Sequence, residues 1–247
     1  MVRRLEVCFT PALLPLYEID DSIVVIIDIF RASSSICYGI DNGASGIIPV
    51  ATVEECREYG EGDFLLAAER EGQVVEGFDF GNSPFSYTAE KVSGRQIVLT
   101  TTNGTQALHQ SLRANKIVVG SFLNISALCN WLHQQQQSVL LLCAGWKGMF
   151  NLEDTLFAGA VVNRLRQDIT NVDDAGIAAE ELFLMAGGNL REFLRKSSHS
   201  IRLEKLNIEE DICFCLQSDI CNSIPVLEND CLRKMTGEQA EPVRQSG

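Results

Sequence analysis

The chain has 247 residues, of which 46% are hydrophobic and 21% charged, and its formal net charge is −13. A chain of this size and composition can bury a substantial core, as one large or two small globular domains. Its acidity argues against nucleic acid as a partner, because such binding depends largely on Lys and Arg contacts to phosphate groups. No apolar run approaches the ~20 residues of a membrane helix, and the start lacks the apolar region of a signal peptide. Nine cysteines without a CxxC spacing favour reduced thiols, so we expect a cytoplasmic protein without membrane contact.

Strands and helices are predicted to alternate along the first two thirds of the chain. The predicted strands are short apolar runs at 5–9, 23–27, 47–50, 64–68, 96–99, 116–120 and 139–143. The predicted helices lie between and after them, at about 30–41, from 52, 83–90, 106–112, 126–137 and 152–166. The run 23–27 is β-branched without polar alternation, which is typical of a strand covered on both faces in a layered α/β sheet.

The last third is predicted to be more helical and more polar. Helices are expected at 176–185, 189–195, 199–206 and 209–216, followed by a short strand at 224–227. We predict one α/β domain over residues 1–235, with a layered sheet of mostly parallel or mixed strands flanked by helices and a helical C-terminal portion. Residues 236–247 are predicted to form a polar, disordered tail.

The loop after the strand at 96–99 carries the strongest chemical signal. Its sequence, Thr-Thr-Thr-Asn-Gly-Thr at 100–105, places hydroxyls, an amide and unhindered backbone N–H groups at the start of a helix. The first N–H groups of a helix lack intrahelical partners and favour negative charge, so such a corner predicts an anion site, most often for phosphate. The alternative is an ordinary N-cap, which needs only one oxygen.

Other predicted strand ends also carry polar or charged side chains. They are Asp28 and Arg31, Glu69 and Arg70, and the segment from Cys143 to Lys147. Because ligands of open α/β sheets collect at the carboxyl ends of the strands, we expect these groups to converge on one site.

Each candidate also has a structural interpretation, which the sequence leaves open. The alternative role of Asp28 is to cap a helix, and that of Asp79 and Asn82 is to shape a turn. The alternative for Cys143 is an inert buried thiol. Arg31 and Arg70 are open to surface ion pairing, which contributes little. Glu153 and Asp154 are open to being either metal ligands or partners of the helix dipole.

Standard phosphatase and nucleotide-binding motifs are absent from the sequence. The position two after Asp28 is Phe30, so no D-x-D pair is present, and six residues after Cys143 stands Met149 instead of an arginine. No phosphate-loop or dinucleotide fingerprint occurs. The three histidines all lie in predicted helices, which argues against a multi-histidine zinc site. A metal ion here is therefore expected to be Mg²⁺ on oxygen ligands.

Several motifs in this order resemble the 2-phosphosulfolactate phosphatase family, from about residue 5 to 230. They lie at 28–33, 69–70, 77–84, 100–105, 143–145, 153–160 and 210–226, and the Gly-Phe-Asp-Phe-Gly-Asn-Ser-Pro and Thr-Thr-Thr-Asn-Gly-Thr runs among them are the most specific. The resemblance implies a family-specific α/β fold and Mg²⁺-dependent hydrolysis of (2R)-phospho-3-sulfolactate to sulfolactate and phosphate, a step of coenzyme M biosynthesis. It leaves open whether the physiological substrate is another phosphorylated acid.

This chemistry leads to a hypothesis for the site. Asp28, Glu69 and Asp79 are expected to include the Mg²⁺ ligands and the carboxylate that activates water. A phosphate monoester brings about −1.5 to −2 charges, and Mg²⁺ with the nearby cations would balance the charge of a small anionic phosphorylated substrate. The residues expected to bind that substrate are Arg31, Arg70, Asn82, Thr101, Thr102, Asn103, Gly104, Thr105 and Lys147.

Two other functions and the assembly state stay open. A non-catalytic binding protein would hold the same phosphorylated or sulfonated metabolite without turning it over. A thiol enzyme would use Cys143 and would lose activity on alkylation. The sequence does not choose between a monomer and a homodimer.

Overall fold

The computed structural model describes residues 2–70, 73–204, 206 and 208–237. Most of the tail predicted at 236–247 therefore lies outside the described residues. The strands are β1 (Arg4–Cys8), β2 (Ile23–Ile27), β3 (Gly46–Pro49), β4 (Phe64–Arg70), β5 (Gln73–Val74), β6 (Gln96–Thr100), β7 (Lys116–Gly120), β8 (Val139–Cys143), β9 (Asn171–Val172), β10 (Pro225–Glu228) and β11 (Cys231–Lys234). The α-helices are α1 (Ala32–Asp41), α2 (Val53–Glu58), α3 (Ala89–Val92), α4 (Gly104–Gln110), α5 (Ile125–Gln134), α6 (Leu152–Leu165), α7 (Asp174–Met185), α8 (Leu190–Leu194), α9 (Ser198–Glu204) and α10 (Glu209–Cys215).

The described strands form one mixed sheet in the order β5-β4-β6-β3-β11-β10-β7-β2-β8-β1-β9. Most neighbours are parallel, including β2 with β7 and β8, and β6 with β3 and β4. The antiparallel hairpin β10–β11 is inserted between β3 and β7. Helices flank this sheet, so the predicted α/β class with a mixed sheet is confirmed.

Strand β2 is the most enclosed part of the sheet. All five of its residues are buried, as the absence of polar alternation predicted. Val25 and Ile27 contribute to the core that holds Phe157 of α6, whereas Val24 and Ile26 belong to the core on the other side. Burying such a side chain contributes about 1.5–3 kcal/mol, so the strand that leads to Asp28 is firmly held.

One helix prediction was wrong, and three short strands, β5, β9 and β11, were not predicted. The helix predicted at 83–90 is a 3₁₀ turn at Pro84–Ser86 followed by the short helix α3. The interruption falls at Tyr87, whose carbonyl accepts a hydrogen bond from Asn42 (2.8 Å) and whose hydroxyl donates to the carbonyl of Gly81 (3.1 Å). The strand β11 was not predicted; it pairs with β10 across a two-residue turn at Asn229 and Asp230, which both have positive φ as hairpin turns require.

The helical C-terminal portion contributes directly to the region around the strand ends. Helix α6 packs most extensively against α7, and α9 and α10 bring His199 and Asp211 to the side chains described below. None of the helices in the described ranges combines the length and the apolar character of a membrane-crossing segment.

Candidate active site

Asp28 lies directly after β2 and is only 8% exposed. Its loop is closed by two hydrogen bonds: Ser33 N–H donates to the Asp28 carbonyl (2.8 Å), and Asp28 N–H donates to Ser33 Oγ (3.1 Å). Burial raises the pKa of the Asp28 carboxyl to about 6, and the negative charges of Glu153 and Glu69 add to the rise. A buried carboxyl with a raised pKa at a strand end is a typical property of a catalytic or ligand-binding group.

The Thr-rich loop reaches Asp28 although four strands separate β6 from β2 in the sheet. A Cβ atom added to Gly104 would come within 2.8 Å of Oδ2 of Asp28, so any other residue would have to displace that carboxylate. The cavity that Asp28 and Gly104 help to line has a volume of about 10 Å³, which is room for one water at most. A substrate must therefore approach Asp28 from the loops.

The side chains of the Thr-rich loop mostly hold the loop itself. Thr105 N–H donates to Thr101 Oγ1 (3.1 Å), and Thr105 Oγ1 donates to the Thr101 carbonyl (2.9 Å). Asn103 Oδ1 accepts from the backbone N–H of Lys147 (3.0 Å), which ties this loop to the loop after β8. Thr102 is exposed. Within the described chain, the backbone N–H groups of Thr102, Asn103 and Gly104 have no hydrogen-bond partner.

Arg31 is 5% exposed and lies between two carboxylates. Its Nη2 donates to Glu69 Oε2 (2.7 Å), and its Nη1 forms a close ion pair with Asp211, whose other oxygen accepts from Ser83 Oγ (2.9 Å). Burial opposes the charge of Arg31, but these two carboxylates outweigh it and raise the arginine pKa. The charge of Arg31 thus joins the ends of β2 and β4 to α10, and its role in substrate binding stays a prediction.

Asp154 connects the loops that follow β2 and β8. One carboxylate oxygen accepts from Ile29 N–H (2.8 Å), and the other accepts from Gly145 N–H and Asn151 Nδ2 (both 3.0 Å). Burial, followed by the charges of Asp28 and Glu153, raises its pKa well above the usual value for a carboxyl. Asp154 is therefore a rigid support that sets the position of the strand ends.

Glu153 and His199 form a buried pair beside this support. Nδ1 of His199 is in close hydrogen-bond contact with Oε1 of Glu153, and Nε2 lies 3.1 Å from Nη2 of Arg202. Because an arginine only donates, the hydrogen-bond network assigns Nε2 as the acceptor and places the proton on Nδ1. The other Glu153 oxygen, Oε2, is buried and has no hydrogen-bond partner in the part of the chain that the structure describes.

The remaining predicted site residues lie at the edges of this arrangement. Asp79 is exposed, and its carboxylate accepts from Leu66 N–H (2.7 Å), as its turn-forming interpretation requires. Arg70 is also exposed, and its Nη1 donates to the Glu69 carbonyl (2.8 Å). Asn82 is buried; its carbonyl accepts from a serine hydroxyl, and its Oδ1 has no partner within the described ranges. Their substrate and metal roles stay predictions.

Cys143 is fully buried, and burial raises its pKa well above that of an ordinary thiol. A nucleophilic cysteine needs a lowered pKa and access to its substrate, so the structure does not favour a thiol enzyme. All nine cysteines are free, consistent with the expected reduced state.

Comparisons with known proteins agree with the resemblance. The family model described as 2-phosphosulpholactate phosphatase matches residues 8–230. The chain belongs to this family. Among similar proteins, the probable 2-phosphosulfolactate phosphatase of Thermotoga petrophila is 43% identical over 87% of this chain and 93% of the relative. Those of Caldanaerobacter subterraneus and Symbiobacterium thermophilum are 39% and 36% identical, over 87% and 86% of this chain and 92% and 94% of their own lengths. The predicted family and, at the level of the family, the class of phosphoric monoester hydrolases are confirmed.

Sequence reasoning assigned no site role to His199, Asp211 or Arg202. They come from α9 and α10, more than 160 positions after Asp28, and no motif spacing links them to it. The resemblance did include Glu210 and Asp211, which was the one available signal. His199 is buried, at 6% exposure.

Proposed function

We propose that the chain is a Mg²⁺-dependent phosphatase that hydrolyses (2R)-phospho-3-sulfolactate, or a related phosphorylated small acid, to the free acid and phosphate. The names of its relatives support this substrate class. The proposal includes the cytoplasm as the place of action, which the free cysteines favour, and coenzyme M biosynthesis as the pathway, which the resemblance described above implies.

The observation that carries the proposal is the approach of the Thr-rich loop to Asp28. Three successive backbone N–H groups, of Thr102, Asn103 and Gly104, have no partner among the described residues, and a Cβ atom added to Gly104 would come within 2.8 Å of Oδ2 of Asp28. Successive free N–H groups bind phosphoryl oxygens well. A phosphate held there would have the Asp28 carboxylate beside it, although the two negative charges repel each other without a cation.

Oxygen ligands for a Mg²⁺ ion are present, although the described residues contain no group of three or more His, Cys, Asp or Glu side chains placed to hold a metal ion by themselves. Asp28, Glu153 and Asp154 are buried together, and one Glu153 oxygen has no hydrogen-bond partner among the described residues. Carboxylate oxygens are the protein ligands that Mg²⁺ prefers, and it usually takes only one or two of them together with substrate phosphate and water. We propose Asp28 as a ligand. Glu69 is a second candidate, whereas Asp79 is already bonded to the backbone of β4.

The chain's own groups then position the reaction. Bound at Asp28, Mg²⁺ would polarise the phosphoryl group and lower the pKa of a bound water. The free N–H groups of the Thr-rich loop orient the phosphoryl oxygens. Asp28 or Glu69 accepts the proton of the attacking water, and the pKa of about 6 leaves the Asp28 carboxyl mostly ionised at neutral pH. Positioning and electrostatics of this kind account for most of the catalysis of phosphoryl transfer.

The test is phosphate release from 2-phospho-3-sulfolactate by the purified protein. We expect release with Mg²⁺, none with excess chelator, and recovery when Mg²⁺ is added back. Asp28→Asn should lower kcat by at least about 100-fold. The control Asp63→Asn removes an exposed carboxylate that pairs with Arg95 and should leave the rate unchanged. Tight binding of the ester without any phosphate release would instead favour the non-catalytic binding protein.

A further inference from the structure

The loop after β8 forms a rigid turn next to the Thr-rich loop. Trp146 and Met149 exchange two backbone hydrogen bonds (both 2.9 Å), and the two residues between them, Lys147 and Gly148, have φ values of 51° and 74°. Positive φ at both central positions is the pattern of a type I′ turn, and a lysine seldom adopts such a φ. Such strain persists where the surroundings fix it. Here Asn103 accepts from Lys147 N–H (3.0 Å).

The Trp146 side chain contacts two cations and a histidine. Nζ of Lys147 lies 5.0 Å and Cζ of Arg202 lies 5.1 Å from the centre of the Trp146 ring, and the His199 ring stacks on it at 6.0 Å. Cations at this distance from an indole face are attracted by its electrons. Arg202 is also held by His199 Nε2 (3.1 Å). Two independent contacts thus fix the guanidinium group.

The positive charges of Lys147 and Arg202 are not paired with carboxylates among the described residues, so they can bind an anionic ligand. Among the described residues, neither Lys147 nor Arg202 forms an ion pair with a carboxylate, and Nε of Arg202 is a buried donor without a partner. Arg31, by contrast, is already paired with Glu69 and Asp211. In a protein of net charge −13, two cations without a carboxylate partner are groups to which an anionic ligand can bind.

We propose that Trp146, Lys147 and Arg202 form a subsite for an acidic group of the substrate that is not transferred, either a carboxylate or a sulfonate. This inference rests on the proposed function and names the group that determines its substrate class. The planar guanidinium presents parallel N–H donors that match the oxygens of such a group. The bond from Lys147 to Asn103 keeps the subsite next to the phosphate-binding N–H groups. His199 acts as a positioning residue, because it holds Arg202 and is itself held by Glu153.

The first experiment measures binding without catalysis. Wild-type protein with Mg²⁺ is titrated calorimetrically with 3-sulfolactate, with lactate, which lacks the sulfonate, and with isethionate, which lacks the carboxylate. The single-acid probe whose binding weakens in Arg202→Gln identifies the acid that the subsite accepts. We expect Arg202→Gln to weaken 3-sulfolactate binding about 10- to 100-fold, as loss of a charged hydrogen bond does, and Lys147→Gln to weaken it less. Arg113→Gln is the matched control, because it removes the same charge from an exposed pair with Asp20.

Three further measurements separate direct contact from general destabilisation. Trp146 fluorescence should change when 3-sulfolactate binds, and the change should be absent in Trp146→Phe. Arg202→Lys keeps the charge but loses the fork of donors, so it should restore binding only in part. His199→Gln should weaken binding less than Arg202→Gln does, with unchanged binding of inorganic phosphate.

The subsite and the proposed function fail in different ways. If Arg202→Gln and Lys147→Gln bind 3-sulfolactate as the wild type does, or the wild type does not bind it, the subsite is wrong. If these variants also release phosphate from 2-phospho-3-sulfolactate at the wild-type kcat/KM, the phosphatase stands without the subsite. If 3-sulfolactate binds through Arg202 but no phosphorylated acid is hydrolysed, the subsite stands and the phosphatase activity is refuted.

Discussion

Gly104→Ala tests the contact between the Thr-rich loop and Asp28 with a single methyl group. The added Cβ would lie 2.8 Å from Asp28 Oδ2, 3.1 Å from Ala32 Cβ and 3.3 Å from Thr101 Oγ1. Gly104 does not have a positive φ, so alanine fits the backbone and the effect is purely steric. The methyl group must displace the Asp28 carboxylate by roughly 0.6 Å to reach an ordinary contact distance.

The expected loss of activity is larger than the loss of stability. Overpacking of this kind costs about 1–3 kcal/mol, which corresponds to a fall in Tm of a few degrees per kcal/mol in a chain of this length. A displacement approaching 1 Å at a reacting group costs about 100-fold in rate. We therefore expect kcat to fall by a factor on the order of 100 in a protein that is still folded.

The assay is Mg²⁺-dependent phosphate release combined with thermal unfolding. Gly60→Ala is the matched control, because its added Cβ would meet only a leucine methyl group at 3.7 Å, and we expect it to keep both kcat and Tm. The reasoning is refuted if Gly104→Ala retains kcat within about threefold (under 0.7 kcal/mol) with an unchanged Tm. That result would mean that the loop and Asp28 do not act together.

Three other changes have definite expected results. Asp28→Asn should raise Tm at pH 7.5 in chelator while abolishing activity. The pKa of the Asp28 carboxyl is raised to about 6 in the native state, so between about pH 4 and 6 the native state binds more protons than the unfolded state. The stability of the wild type therefore falls as the pH rises through that range. An Asp28→Asn variant whose Tm is below that of the wild type at both pH 5 and pH 7.5 would contradict this. Arg31→Ala should lower the free energy of unfolding by about 3–5 kcal/mol, because Glu69 and Asp211 lose the cation that they share. If this variant instead has a raised KM and an unchanged denaturant midpoint, Arg31 binds substrate and does not stabilise the fold. Cys143→Ala should keep kcat within about twofold, and sensitivity of the wild type to alkylation with full resistance of the variant would revive the thiol enzyme.

Local pattern predicted much of the fold, because the strongest elements are determined by their own residues. Strand β2 could be recognised from 23–27, where five β-branched residues exclude an exposed face. The order of the strands in the sheet could not be predicted from the sequence, because the hairpin at 225–234 lies between β3 and β7. Which strands receive a hairpin from the far end of the chain depends on tertiary packing, and no local periodicity encodes it. The break at Tyr87 likewise depends on a contact with Asn42.

Some residues of the candidate site could be predicted from the sequence, and others could not. Strand ends identified Asp28 and the loop at 100–105, since the carboxyl edge of a parallel sheet gathers its loops. The structure brings Asp28, Gly104, Asn103 and Lys147 into one connected region. Arg202 could not be found this way, because it belongs to a helix and reaches the region through His199 and Trp146. A single sequence does not reveal which of many exposed-looking arginines lacks an acidic partner.

The buried charges of Arg31 and Asp28 differ in whether the protein supplies opposite charges to balance them. Arg31 is matched by two carboxylates, so its burial is balanced. Asp28 is not matched in this way, and the rise of its pKa to about 6 corresponds to about 3 kcal/mol of destabilisation at neutral pH. That is a large fraction of the 5–15 kcal/mol that stabilises a typical domain. Asp154, whose pKa is also raised, adds to this cost. A fold without a use for Asp28 would be more stable with an asparagine there, so this cost in stability supports the proposed function, in which Asp28 binds a cation beside a phosphate.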